Sequence, residues 1–174
     1  MTHPIVNETI LHVAEFHQGQ VDKLGAPYYF HPMRVMMRLG PNAPESEKHA
    51  ALLHDSMEDN PDVTPERLRE LGYAEDVIVM AGLLTRQEGE TYCEFIDRII
   101  ASGNTGARRI KLADLYDNTN EERLNGAPDE TRGKLLSMAR TRYQPAIAKL
   151  KLALGQEAET VISGSLDCVT GERG

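Results

Sequence analysis

The chain has 174 residues, of which 27 are acidic and 19 are basic, and its formal net charge at pH 7 is -8. This length is typical of one domain with an adequate hydrophobic core, and we expect residues 1–155 to form it. The negative charge opposes binding to nucleic acid or to an anionic membrane, but not to a small phosphorylated ligand held by a metal ion.

The sequence shows no feature of secreted or membrane proteins. Its two cysteines lie far apart, without the spacing of a zinc ligand pair or a disulfide framework. Residues 1–20 contain no uninterrupted apolar run that could act as a signal peptide or a membrane span. We therefore expect a cytoplasmic protein.

Apolar residues recur at intervals of three and four along most of the chain, which predicts helices rather than strands. The first predicted helix covers residues 6–17. Pro32 fits the first turn of a second helix, which Gly40 ends. A third helix is predicted from Ser46 to Asn60, where Pro61 follows.

Capping residues and amphipathic patterns outline the later helices. Thr64 and Pro65 begin a short helix over residues 65–71. Four further helices are predicted over residues 75–84, 91–101, 106–118 and 129–154. The pattern predicts an all-α bundle of about seven or eight helices, followed by a loosely ordered tail over residues 156–174.

The end of the third helix carries a cluster of side chains that bind metals or transfer protons. His54 and Asp55 directly follow an apolar run, and Glu58 and Asp59 lie about one turn later. Burying such polar groups beside apolar residues is unfavourable unless something compensates them, and a bound cation is the usual compensation. This cluster therefore predicts a metal site.

Two other helices supply candidate ligands for the same ion. His31 opens the second helix and Asp114 lies near the middle of another, and apolar residues flank both. With His54 and Asp55 they make a set of two imidazoles and two carboxylates. This mixed nitrogen and oxygen field suits manganese, iron, cobalt or zinc better than calcium.

Taken in order, these segments resemble the HD superfamily of metal-dependent phosphohydrolases, and within it the hydrolase domain of the RelA/SpoT alarmone enzymes and the stand-alone small alarmone hydrolases. The resemblance covers roughly residues 10–145. It is carried by Ala14 with His17-Gln18-Gly19-Gln20, Gly25-Ala26-Pro27-Tyr28 before His31-Pro32, Ala51-Leu52-Leu53-His54-Asp55 with Glu58-Asp59, Leu84-Thr85-Arg86, and Lys111-Leu112-Ala113-Asp114 with Asn118.

The resemblance implies a compact HD-domain bundle and a hydrolase that removes the 3'-pyrophosphate of the guanosine alarmone ppGpp. It implies that one divalent ion, usually manganese, is bound by His31, His54, Asp55 and Asp114. The substrate would be a small nucleotide, with neither nucleic acid nor membrane as a partner.

The resemblance also implies roles for two acids and three substrate contacts. Glu58 and Asp59 match the pair that handles the attacking water. Glu58 lies one helical turn after the metal-site histidine, so its carboxylate can sit beside the ion without being a ligand. The expected substrate contacts are Lys23, Asn118 and Tyr143.

One departure from the family leaves the substrate open. Asp22 stands where the family usually has an arginine that packs against guanine. An alternative substrate is therefore a deoxynucleotide or another nucleotide, bound at the same metal site. A catalytically idle nucleotide sensor is a further alternative, although loss of a ligand or of the acid pair would be its expected mark, and this sequence retains both.

The remaining histidines are less informative. His17 fits a site residue and a core residue equally well. His3, His12 and His49 are expected to be solvated.

Overall fold

A computed structural model describes residues 4–155, and within them the chain forms eleven α-helices and one π-helical turn. The α-helices are, in chain order, α1 Val6–Phe16, α2 Phe30–Arg38, α3 Glu45–Leu53, α4 Ser56–Asp59, α5 Pro65–Glu70, α6 Glu75–Leu84, α7 Tyr92–Ala101, α8 Thr105–Asn118, α9 Glu121–Asn125, α10 Asp129–Met138 and α11 Gln144–Leu154. Eight of these helices have nine residues or more. Residues 4–155 contain no β-strand. The all-α prediction is confirmed.

Several helix ends lie where capping chemistry predicted them. The Thr64 hydroxyl accepts a hydrogen bond from the backbone N–H of Arg67 and begins α5. Thr91 and Glu94 form a reciprocal capping box at the start of α7. Gly40, with φ of +83°, follows the end of α2 in a conformation that is easy only for glycine.

Helices α3 and α8 form the centre of the bundle. Helix α3 packs against α1, α2, α6 and α8, and α8 also packs against α2, α6, α7 and α11. Their side chains Leu52, Leu53, Leu112 and Leu115 are completely buried. A side chain that projects from the ends or the inner faces of these helices is therefore held by close-packed neighbours.

The predicted third helix is interrupted. Helix α3 ends at Leu53 and the short α4 begins at Ser56, with His54 and Asp55 in a turn between them. The prediction of one helix to Asn60 was wrong. On a regular helix, adjacent side chains diverge by about 100°. In the structure, His54 Nε2 and Asp55 Oδ2 lie 3.1 Å apart.

The predicted helix over residues 129–154 is also interrupted. It consists of α10 and α11 joined by the π-helical turn Ala139–Tyr143. Pro145 follows this turn, and it has no backbone N–H to donate to the Thr141 carbonyl, so the regular hydrogen-bond ladder cannot continue. Helix α9 is a further element that the sequence analysis did not predict.

The predicted C-terminal tail, residues 156–174, lies outside the described residues. Within residues 4–155, no helix combines the length and the apolar character that a bilayer crossing requires.

Candidate metal centre and active site

Most of the predicted site residues surround a cavity of about 250 Å³. Its wall is contributed by the loop before α2, the turn between α3 and α4, and parts of α7, α8 and the π-helical turn. All the predicted site residues except His54 line it; the lining members are Lys23, His31, Asp55, Glu58, Asp59, Asp114, Asn118 and Tyr143. The fold therefore brings together residues that are up to 120 positions apart (143 minus 23).

Three of the four predicted metal ligands form one buried group. One ligand atom from each of His31, His54 and Asp114 lies within 4.8 Å of the other two. The Oδ1 atom of Asp114 is 3.2 Å from His31 Nε2 and 3.9 Å from His54 Nε2. Such a group can hold a divalent metal ion.

Asp55 lies at the edge of this group. Its Oδ2 atom is 3.1 Å from His54 Nε2 and 3.5 Å from His31 Nε2. The Tyr28 hydroxyl donates a hydrogen bond of 2.6 Å to the same oxygen and so fixes the carboxylate. Asp55 therefore adjoins both histidines of the group without belonging to the set of three mutually close ligand atoms.

The hydrogen bonding of His54 fits a metal ligand. Its Nδ1 donates to the Ala51 carbonyl at 2.8 Å, which leaves Nε2 as the atom with a free lone pair. That Nε2 atom is buried and makes no hydrogen bond with any described residue, because its lone pair and the nearby Asp55 carboxylate oxygen can both only accept. A metal ion would satisfy this orphaned atom.

The charged groups around the predicted metal ligands favour the binding of a cation. Burial disfavours the charged form of His31, but its interactions with Asp114 and Asp117 outweigh this and raise its pKa to about 9. Burial also opposes ionisation of Asp55 and Asp114, yet the neighbouring cations hold the pKa of both carboxyls well below the usual range. The carboxylates thus stabilise positive charge where the ligands converge.

Asp117 is a functional candidate that the sequence reading missed. Its side chain is completely buried, and its Oδ2 lies 2.8 Å from His31 Nδ1. Arg34 donates to the same carboxylate, and Arg123 does so as well. The only signal in the sequence was its position three residues after Asp114, which places both near one face of α8.

Glu58 and Asp59 lie beside the ligand group and face the cavity. The backbone N–H of Arg86 donates to Glu58 Oε2 at 3.0 Å. The side-chain amide of Gln20 donates to Asp59 Oδ2 at 2.8 Å. Each carboxylate is therefore held by one hydrogen bond and keeps a second oxygen for other partners.

The three predicted substrate contacts differ in their surroundings. Lys23 is exposed at the cavity mouth. Asn118 donates a hydrogen bond to Asp114 Oδ1, so its amide also supports a predicted ligand. Tyr143 is buried, and burial raises the pKa of its hydroxyl. Lys111, which the sequence reading used only as part of a motif, also lines the cavity and donates to Asp114 Oδ2 at 2.7 Å.

Asp22 has a defined partner at the cavity wall. Its Oδ2 accepts a hydrogen bond of 3.0 Å from Arg123, and its Oδ1 accepts from the backbone N–H groups of Leu24 and Ala26. Arg123 also lines the cavity. The chain thus has a guanidinium beside Asp22, contributed by a residue 101 positions away.

Two histidines outside the ligand group are buried. His17 is 2% exposed, and its Nε2 lies 3.3 Å from the Ser56 hydroxyl behind the acid pair. His49 is 6% exposed and bonds the Thr9 hydroxyl at 2.7 Å, so the expectation that it is solvated was wrong. Both side chains are packed inside the helical bundle.

Comparisons with known proteins agree with the resemblance drawn from the sequence. No family model matches the chain. Among curated proteins, it is 29% identical over 161 residues to a GTP pyrophosphokinase from Myxococcus xanthus, a match that covers 86% of this chain and 21% of that protein. The chain therefore spans about one fifth of the length of this relative.

A solved structure gives a more complete match. It is a metazoan ortholog of SpoT that hydrolyses ppGpp and plays a role in starvation responses. The TM-score is 0.60 with 26% sequence identity, over 91% of this chain and 97% of that one. The resemblance to RelA/SpoT-type hydrolases and the fold that it implied are confirmed.

Proposed function

We propose that this chain, which resembles the RelA/SpoT-type hydrolases, is a cytoplasmic manganese-dependent phosphohydrolase that removes the 3'-pyrophosphate of a guanosine alarmone. One observation carries the proposal. His31 and Asp114 line the same cavity as the carboxylates Glu58 and Asp59, and a ligand atom of His54 lies within 4.8 Å of theirs. A site of this composition is suited to metal-assisted hydrolysis.

The comparisons support hydrolysis as the reaction. The metazoan SpoT ortholog that hydrolyses ppGpp is matched over 97% of its length. The match to the bacterial GTP pyrophosphokinase covers only 21% of that protein, so we do not carry over the activity in its name.

The metal ion would be held by His31, His54, Asp55 and Asp114. Two imidazole nitrogens and two carboxylates form a donor set that manganese accepts. When bound, such an ion lowers the pKa of a coordinated water and neutralises charge on the phosphoryl group.

The chain's own residues orient the ligands and move the proton. The Tyr28 hydroxyl and the Ala51 carbonyl hold Asp55 and His54 in place. We propose that Glu58 accepts the proton of the attacking water. Its Oε1 is free to do so because Oε2 accepts a hydrogen bond from the backbone N–H of Arg86. Asp59 is the second acid of the pair. Attack on the phosphorus next to the ribose breaks its bond to the 3' oxygen and releases pyrophosphate.

The rest of the cavity would bind the nucleotide. Lys23 and Lys111 bring positive charge to an otherwise acidic protein, and this favours a small phosphorylated substrate over a polyanion. Asn118 and Tyr143 offer polar contacts to the ribose or the phosphates. Arg123, held beside Asp22, offers a planar guanidinium that can stack on a base.

A substrate panel tests this proposal. The purified protein with manganese is offered ppGpp, ppApp, nucleoside triphosphates and deoxynucleoside triphosphates, and Asp55→Ala serves as the inactive control. We expect release of pyrophosphate from ppGpp. Turnover of a deoxynucleoside triphosphate together with failure on every 3'-pyrophosphorylated nucleotide would support the alternative substrate class. Tight binding of ppGpp without turnover of any compound would indicate a sensor.

A further inference from the structure

Tyr92 is a cavity residue to which the sequence assigned no role. It is the first residue of α7, directly after the Thr91 cap. Its ring lies 6.2 Å from the Phe95 ring and 5.9 Å from the Tyr143 ring, measured between centroids. These contacts fix the ring in the wall of the cavity that contains the metal centre.

The hydroxyl of Tyr92 is buried and has no hydrogen-bond partner among residues 4–155. Two other tyrosine hydroxyls have partners: Tyr28 donates to Asp55 at 2.6 Å, and Tyr73 donates to Thr9 at 3.1 Å. An unpaired buried hydroxyl destabilises a folded protein, so its persistence calls for a compensating role.

The surroundings of this hydroxyl indicate what it could bind. Lys111 and Asp114 line the same cavity as Tyr92. The Lys111 ammonium lies 6.0 Å from the centre of the Tyr92 ring and donates to Asp114 Oδ2. Burial raises the pKa of Tyr92, so the hydroxyl keeps its proton and remains a donor at neutral pH. A hydroxyl donor and an ammonium that line one cavity suit an anionic oxygen.

We propose that the Tyr92 hydroxyl donates a hydrogen bond to a phosphate oxygen of the substrate, next to Lys111 and the Asp114 side of the metal centre. This inference rests on the proposed function, because it takes a phosphorylated ligand in the cavity as given. It makes Tyr92 a substrate-binding residue whose hydroxyl is unsatisfied in the free protein and satisfied in the complex.

If Tyr92 has this role, one variant should weaken phosphate binding without lowering the stability of the free protein. Tyr92→Phe removes only the hydroxyl and keeps the ring contacts. The free protein loses an unsatisfied polar group, so its melting temperature should equal or exceed that of the wild type. Affinity for the phosphate group should fall by roughly 10- to 100-fold, as expected for a hydrogen bond to a charged acceptor.

The experiment compares Tyr92→Phe with Tyr73→Phe, a matched control whose hydroxyl is hydrogen bonded to Thr9 away from the cavity. Calorimetry with inorganic pyrophosphate measures binding without any need for turnover, and thermal unfolding measures stability. We expect weaker pyrophosphate binding with unimpaired stability for Tyr92→Phe, and the reverse for Tyr73→Phe.

Two results would overturn the inference. One is unchanged pyrophosphate affinity in Tyr92→Phe. The other is a loss of stability as large as that of Tyr73→Phe, which would mean that the hydroxyl has a structural partner. Failure of the proposed function has a different signature, namely a wild-type protein that binds pyrophosphate in a Tyr92-dependent manner but hydrolyses no compound of the substrate panel.

Discussion

The Nδ1 atom of His31 lies 2.8 Å from the Oδ2 atom of Asp117, on the opposite side of the imidazole from the proposed metal ligands Asp55 and Asp114. This carboxylate fixes the orientation of the ring, so that Nε2 points to Asp114 and Asp55. Burial opposes ionisation of Asp117, but its hydrogen bonds to His31 and Arg34 hold its pKa down to about 2. A carboxylate behind a ligating histidine also makes the imidazole a stronger ligand.

Replacing Asp117 should therefore lower the affinity for manganese more than it lowers kcat at saturating manganese. We expect Asp117→Asn to lower manganese affinity by about 10- to 100-fold, while turnover at saturating manganese recovers much of its wild-type value. Calorimetric titration of the metal-free protein measures the affinity. Asp97→Asn, at an exposed ion pair with Lys149, is the matched control and should bind manganese normally. Equal affinities in the two variants would remove Asp117 from the metal site.

A second prediction separates the ligands from the acid pair. Asp55→Ala should lose bound manganese and activity together, because Asp55 contacts both histidines of the centre. Glu58→Gln should keep the metal, since Glu58 lies outside the ligand group, but kcat should fall by about 10²- to 10⁴-fold. The bound manganese and kcat are measured for both variants to test this prediction. If Glu58→Gln also lost its metal, Glu58 would be a ligand.

Local sequence signals predicted most of the helices, and together with the family resemblance they identified eight of the residues that line the cavity, but not the contacts between distant segments. Thr64 and Pro65 predicted the start of α5 correctly because caps act within one turn. The partnership of His31 with Asp117 joins positions 86 residues apart, and no periodicity within either helix encodes it. For the same reason the sequence showed that Asp22 departs from the family but not that Arg123 is its partner.

Helix interruptions were missed for a different reason. The turn at His54 and Asp55 lies inside a stretch with good helical periodicity, and the packing around the site outweighs local propensity there. The π-helical turn before Pro145 depends on a single missing N–H group, which lies within a pattern that otherwise continues.

The metal centre should also stabilise the fold. Manganese binds the folded ligand group and not an unfolded chain, so at a concentration of about 100 times its Kd it should add about 2.7 kcal/mol to the free energy of unfolding. For a protein of this size, that corresponds to a rise in melting temperature of roughly 5 to 10 °C. Thermal unfolding with and without EDTA measures it. Asp55→Ala should show little of this rise, and an equal rise in that variant would contradict binding at this site.

Arg123 should influence which base is accepted. Its guanidinium is held by Asp22 and Asp117, so its plane is fixed at the cavity wall. Arg123→Lys keeps the charge but loses the plane, and we expect KM for ppGpp to rise by about 5- to 30-fold with a smaller change in kcat. Arg132→Lys, at an ion pair with Asp129 outside the cavity, is the control. An unchanged ratio of kcat/KM for ppGpp and ppApp would mean that Arg123 does not contact the base.

The last prediction concerns the packing that positions Asp114. Helix α8 approaches its neighbours so closely at Gly106 that an added Cβ would lie 2.6 Å from Met80 Sδ and 3.1 Å from Glu47 Cγ. Gly106→Ala gains up to about 1 kcal/mol in helix propensity but incurs about 1 to 3 kcal/mol of overpacking, so we expect net destabilisation.

An open glycine in another helix provides the matched control. Gly133, in α10, has no atom within 4 Å of the corresponding Cβ position, so Gly133→Ala should stabilise the protein by about 0.5 to 1 kcal/mol. Urea unfolding of both variants therefore should give shifts of opposite sign. A stabilising Gly106→Ala would mean that Met80 repacks freely and that α8 does not depend on a glycine there. Because the same helix carries Asp114, manganese affinity should fall in parallel with any displacement of α8.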